Sequence, residues 1–185
     1  SYGVLEELAA TPITVGGRTR RALDEVDLVS GVSGGSVTAA YYGLYGDRIF
    51  QDFESRFLRR NVQGDILLEM LAPWNWVRLY SAYFDRSELL AEYLDDHLLD
   101  GATFGDLEKT NSPRILINAT DLLSGERFGF NQDQFDFLCS DLTDLRLSRA
   151  VAASCAVPVV FSPITLRNYA GSCGFERPAW LTGAL

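Results

Sequence analysis

A serine stands between glycines at Gly31-Val32-Ser33-Gly34-Gly35. Just before it runs an apolar stretch, Val26 to Ser30, and just after it a helical pattern of small residues and tyrosines, Gly34 to Tyr45. The spacing is G-x-S-x-G. Its chemistry is that of a nucleophile elbow, a tight strand-to-helix turn that exposes a serine hydroxyl at the carboxyl end of the strand. Glycines suit a turn in which neighbouring side chains would collide. The helix that begins there points its dipole at developing negative charge, and the Gly34 N–H is the candidate oxyanion donor. The plainer reading of the same letters is a glycine-rich turn in which Ser33 or Ser36 caps the helix.

A serine nucleophile needs a base. The chain has one histidine, His97, in "YLDDHLLD". It falls inside an expected amphipathic helix, between Asp96 and Leu98, where a histidine is more often a surface or boundary residue than a base. That points away from a three-residue triad and toward a serine–aspartate dyad. Asp121 follows an expected strand and reads as a turn or hydrogen-bonding position.

The elements that must position Ser33 follow from periodicity. Ser1 to Ala10 reads as a helix with Val4, Leu5 and Leu8 on one face, and "TVGGRTR" as a polar loop. Val26 to Ser30 is short and apolar, as a buried strand is. Asp47 to Asn61 places Ile49, Phe50, Phe53, Phe57 and Leu58 on one helical face. Asp85-Arg86-Ser87-Glu88 has capping-box spacing and opens a helix running to about Leu99, and Thr103 caps a further short turn. Arg114 to about Leu122 is a strand that turns at Ser124-Gly125 and returns as "RFGFN". "LRLSRAVAASCA" is a helix that stops before Pro158. Strands alternating with helices predict a largely parallel sheet covered by helices, in a single domain over residues 1–185.

Composition narrows the function. The 185 residues are 47% hydrophobic with a net charge of −9. That balance argues against nucleic-acid binding and gives no electrostatic reason to bind anionic lipid, so any membrane contact is apolar and local. Nothing in the sequence is an apolar run long enough to span a bilayer. The cysteines Cys139, Cys155 and Cys173 lack CxxC spacing, and with one histidine no zinc site is expected. An odd count leaves at least one free thiol, and buried small hydrophobes are the expectation for the three. The opening "SYGVLEELAA" starts in mid-helix without a Met or a cap, so the chain reads as cut.

Three blocks resemble the patatin-like phospholipases, close to their bacterial branch. "SYGVLEEL" is similar to the helix after that family's glycine-rich oxyanion loop. "LVSGVSGGSVTAAYYGLYG" is similar to its elbow and following helix. "LRLSRAVAASCAVPVVFSPITL" is similar to the small-residue and proline segment before its catalytic aspartate. The resemblance implies a three-layer α/β/α sandwich with a mainly parallel sheet, and hydrolysis of fatty-acyl lipid esters by a Ser–Asp dyad without metal or organic cofactor. Ser33 matches the nucleophile. The family's aspartate lies in a D-G-G or D-G-A motif after the segment matched by Pro158 to Pro163, and no aspartate follows Pro163. The partner is therefore expected beyond Leu185 and the oxyanion loop before Ser1, so the segment alone is expected to be nearly inactive. Asp100-Gly101-Ala102 has the right letters but precedes both the strand and the proline segment, and reads as the end of a helix. The expected partner is a lipid ester; the aromatic stretch Met70 to Phe84 reads first as ordinary core and helix surface, with a substrate-facing or membrane-touching lid, and so a peripheral membrane contact, as the alternative. A binding domain that kept the elbow without catalysis, and a Ser-His-Asp esterase using His97 on small soluble esters, are the alternatives.

Overall fold

The computed structural model describes residues 1–62, 64–65, 86–157 and 161–175. Helix α1, Tyr2–Ala10, ends where Thr11 turns extended, and it buries Leu5. The polar stretch that follows is a hairpin rather than the expected loop. Strands β1, Pro12–Val15, and β2, Arg18–Arg21, pair antiparallel around Gly16 and Gly17. Both glycines have positive φ, 59° and 78°, as a two-residue turn between twisted strands requires. Its strands are almost wholly exposed, so no alternation of apolar and polar residues betrayed them.

The apolar run before the elbow becomes β3, Leu28–Val32. It reaches two residues further than its apolar pattern, right up to Ser33. It is also less buried than expected, with Leu28 and Val32 exposed. Helix α2, Gly34–Tyr45, follows at once and buries Val37, Ala39, Ala40, Tyr41 and Tyr42. At Gly43 the helix comes so close to its neighbours that an added Cβ would stand 2.4 Å from Ile115 Cγ1 and 2.8 Å from Leu107 Cδ2. The aromatic helix after it is present but wound wider, as a π-type helix over Ile49–Leu58. Phe53 is its anchor, with ring centres 5.0 Å from Tyr41 and 5.8 Å from Tyr2.

Helix α3, Arg86–Leu94, continues into a π-type turn at Asp95–Leu99. The short α4, Phe104–Leu107, starts in the capping box of Thr103 and Asp106. Strand β4, Arg114–Thr120, then enters the sheet, followed by β5, Arg127–Phe130. Helix α5, Gln132–Phe137, was not anticipated, and Asn131 caps it by accepting from the Gln134 N–H. Helix α6, Leu147–Cys155, packs against α3 and β4 through Leu147, Ala150, Val151 and Ala152. The Arg149–Glu88 ion pair at 2.8 Å ties α6 to α3.

The fold is α/β. Its described sheet is three-stranded in the order β3-β4-β5, with β3 parallel to β4 and β5 antiparallel to β4. Among the described residues it is mixed, and the Ser124-Gly125 turn folds β5 back against β4 as the sequence leads one to expect. Helices α2 and α6 both lie against β4, and their small residues permit the close approach. The aromatic stretch Met70 to Phe84 lies outside the described residues. Among the described residues no helix is long and apolar enough to cross a membrane.

Two cysteines depart from their expected role. Cys139 and Cys173 form a disulfide with a Cα–Cα distance of 5.5 Å, and Cys155 is the free thiol. The bond holds the segment 161–175 to the end of α5. The Tyr169 N–H donates to the Leu138 carbonyl at 3.0 Å beside it.

Candidate active site

The β3–β4 register pairs Val32 with Asn118, so the next residue, Ser33, leaves the carboxyl end of the sheet. Its backbone sits at φ 53° and ψ −130°, left-handed for a non-glycine residue, and α2 begins immediately after. Such a conformation costs about 1–3 kcal/mol and persists only where its surroundings enforce it. Ser33 itself is exposed.

Gly31 shows what the turn demands. A Cβ there would stand 2.8 Å from both the Gly35 carbonyl oxygen and Ser36 Cα, contacts that backbone atoms cannot yield. At Gly34 and Gly35 an added Cβ meets nothing within 4 Å. Collision therefore explains the glycine before the serine and not the two after it. The capping reading also fails, because the Ser33 side chain makes no cap hydrogen bond to α2. Ser36 is fully buried, and its hydroxyl is bonded to Ser154.

Ser154, in the last turn of α6, meets the elbow directly. Its Oγ accepts from the Ser33 N–H at 2.8 Å, lies 2.8 Å from Ser36 Oγ, and donates to the Asn118 carbonyl at 2.5 Å. Asn118 carries the network into β3, its side-chain amide donating to Ser30 Oγ at 2.9 Å and to the Gly31 carbonyl at 3.2 Å. Neither Ser154 nor Asn118 stood out in the sequence, since "VAASCA" and "LINAT" read as ordinary small-residue helix and strand. Cys155, beside Ser154, sets its thiol against the Ser33 hydroxyl. Burial pushes that thiol up, and the hydroxyl only partly opposes the shift, so the sulfur stays protonated near neutral pH and is no base.

The oxyanion candidate is Gly34. As the first residue of α2 it has no carbonyl four residues back within the helix, so its N–H is one of the donors a helix leaves unpaired. The Ser33 N–H is already taken by Ser154.

His97, Asp100 and Asp121 have other duties. His97 Nδ1 lies 3.0 Å from the Tyr93 carbonyl and its ring stacks on Tyr93 at 4.4 Å. Facing a carbonyl, that nitrogen must be the donor. Asp100 follows the π-type turn with φ 53° and accepts from the Tyr45 hydroxyl at 2.7 Å. Burial, then this bond, pushes the Tyr45 hydroxyl above its ordinary value. Asp121 accepts from the Leu123 N–H at 2.8 Å inside the β4–β5 turn. Among the described residues no imidazole or carboxylate is bonded to the Ser33 hydroxyl, and no group of three or more His, Cys, Asp or Glu is placed to hold a metal. A cleft of about 1150 Å³ opens at the other end of the strands, beside Leu28 and Arg114, and Ser33 does not line it.

The family model described as Patatin-like phospholipase matches residues 1–180. No curated protein and no solved structure gives a significant match.

Proposed function

Because the chain belongs to the patatin-like phospholipase family, we propose that it is a serine acyl hydrolase that cleaves fatty-acyl esters of phospholipids through a Ser–Asp dyad, with Ser33 as nucleophile. The observation that carries the reading is the backbone of Ser33, a non-glycine residue held at φ 53° between β3 and α2 with its side chain exposed. Strain of this kind at an exposed hydroxyl is what an elbow uses to present a nucleophile.

The chemistry follows. Ser33 Oγ attacks the ester carbonyl carbon as its proton passes to the dyad carboxylate. The carbonyl oxygen becomes an oxyanion facing the Gly34 N–H at the positive end of α2. Collapse breaks the ester bond, and the departing alcohol, the lysolipid, leaves with the proton. The carboxylate then takes a proton from water, the hydroxide attacks the acyl-serine, and the fatty acid departs as Ser33 regains its hydrogen. Each step moves only protons and an acyl group. Asp100 and Asp121 are engaged elsewhere, so neither is assigned as the dyad aspartate. Substrate is met at a lipid surface by peripheral apolar contact.

The test is fatty-acid release from phosphatidylcholine vesicles by the full-length protein. Ser33→Ala should lower the rate at least about 10³-fold, in line with loss of a nucleophile. His97→Ala should leave it within about twofold, because that ring is committed to Tyr93. A Ser33→Ala protein that still releases fatty acid contradicts the assignment, and a large loss in His97→Ala favours a triad.

A further inference from the structure

We infer that Ser154 is a positioning residue for the nucleophile, a hydroxyl on α6 that locks the elbow in its left-handed conformation. The inference rests on the reading of Ser33 as nucleophile.

A hydroxyl has one hydrogen and two acceptor sites. At Ser154 all are spoken for by atoms of three different elements. The Asn118 carbonyl can only accept, so the single hydrogen of Ser154 goes to it at 2.5 Å. Both remaining sites must then accept, one from the Ser33 N–H and the other from the Ser36 hydroxyl, each at 2.8 Å. The proton directions are therefore fixed, although hydroxyl hydrogens are free to rotate in general. The network joins the elbow, the first turn of α2, the end of β4 and the end of α6 at one oxygen.

Its position gives the network a catalytic consequence. The strained residue is the one whose amide is held. The N–H of Ser33 precedes the φ bond that stands at 53°, so a bond to that N–H restrains the torsion that is out of its ordinary range. The same bond removes the Ser33 N–H as a competing donor and leaves the next amide, Gly34, for the oxyanion. Asn118 strengthens the arrangement from the other side, since its side chain holds the Gly31 carbonyl while its own carbonyl anchors Ser154. Alanine at Ser154 leaves the Ser33 amide, the Ser36 hydroxyl and the Asn118 carbonyl each short of a partner. The elbow is then free to relax, and a displacement near 1 Å at a reacting atom costs on the order of 10²-fold in rate.

The experiment compares wild type, Ser154→Ala, Ser154→Thr, Ser36→Ala and Ser33→Ala in the full-length protein. Three readouts are taken: kcat and KM on a p-nitrophenyl acyl ester, thermal melting, and exchange of the ¹⁵N-labelled Ser33 amide with D₂O. Ser154→Ala should lower kcat roughly 10- to 100-fold, with KM within about twofold, and should speed exchange of the Ser33 amide at least about tenfold. Ser154→Thr keeps the hydroxyl and should restore at least half of kcat. Ser36→Ala leaves the bond to Ser33 in place and should cost less than Ser154→Ala. The proposal is overturned if Ser154→Ala keeps kcat within twofold, or if the Ser33 amide exchanges no faster. It is also overturned if Ser154→Thr, folded by its melting curve, is as impaired as alanine. Should Ser154→Ala fail to fold, Ser154→Thr and Ser36→Ala decide by the same readouts. Ser33→Ala separates the two claims: if it remains active, the nucleophile assignment fails, while amide exchange still reports whether Ser154 holds the elbow.

Discussion

The sharp turn at Ser33 was legible from five letters, because glycines around a serine at the end of an apolar run mark a strand-to-helix junction. What the letters could not give is which glycine matters and why. Gly31 must lack a Cβ because the Gly35 carbonyl stands 2.8 Å from where it would be, whereas Gly35 has open space at its own. Gly31→Ala should therefore displace the elbow and cost at least about 1–3 kcal/mol as an overpacked contact against backbone. Gly35→Ala, inside α2, should be neutral or stabilising by up to about 1 kcal/mol. Urea unfolding of the two variants checks this pair, and equal destabilisation would mean that the turn is not packed as described. Ser154 and Asn118 were illegible for a related reason. Their importance comes from a meeting of residues more than thirty positions apart, 118 with 154 and 33 with 154, which no local pattern records.

At the level of elements, α1, α2, β4 and α6 stand where the sequence puts them, although on α1 only Leu5 is buried and Val4 is exposed. The β1–β2 hairpin was not legible, because exposed strands have no buried face to create alternation. Caps were more informative. Thr103 was picked out as a cap, and its box with Asp106 is present, the Thr103 N–H donating to Asp106 Oδ2 at 3.0 Å. Removal of this cap by Thr103→Ala should cost about 1 kcal/mol, a fall of about 2–4 °C in Tm. Hydrogen bonds from Lys109 and from the Thr103 backbone hold the Asp106 carboxyl down at about 2. A depressed carboxylate stabilises the fold above its unfolded pKa of about 3.9, and the benefit disappears as pH falls through about 2. The Tm difference between wild type and Asp106→Asn should be full at pH 6 and shrink toward zero between pH 4 and 2, as seen by circular dichroism melts. A difference that persists at pH 2 would argue against the bonded carboxylate.

Across the whole molecule, the cysteines carry information that their spacing hid. Cys139 and Cys173 are 34 positions apart, so neither a CxxC pattern nor periodicity could pair them. The bond closes a loop that runs through α6, the helix that carries Ser154, and it should add about 2–4 kcal/mol by restricting the unfolded chain. Denatured but unreduced, residues 1–185 should titrate one thiol with Ellman's reagent, from Cys155, and three after reduction. Three thiols before reduction would remove the disulfide. Reactivity at the elbow is the more decisive matter, since the sheet, α6 and the Ser154 network converge on one exposed hydroxyl. Treatment of the full-length protein with a fluorophosphonate probe, followed by mass spectrometry of its peptides, reads that hydroxyl directly. A single phosphonylated residue, Ser33, is expected, with the adduct absent from Ser33→Ala. An ester-hydrolysing protein whose adduct maps to another serine, or that hydrolyses lipid while Ser33 stays unlabelled, would contradict it.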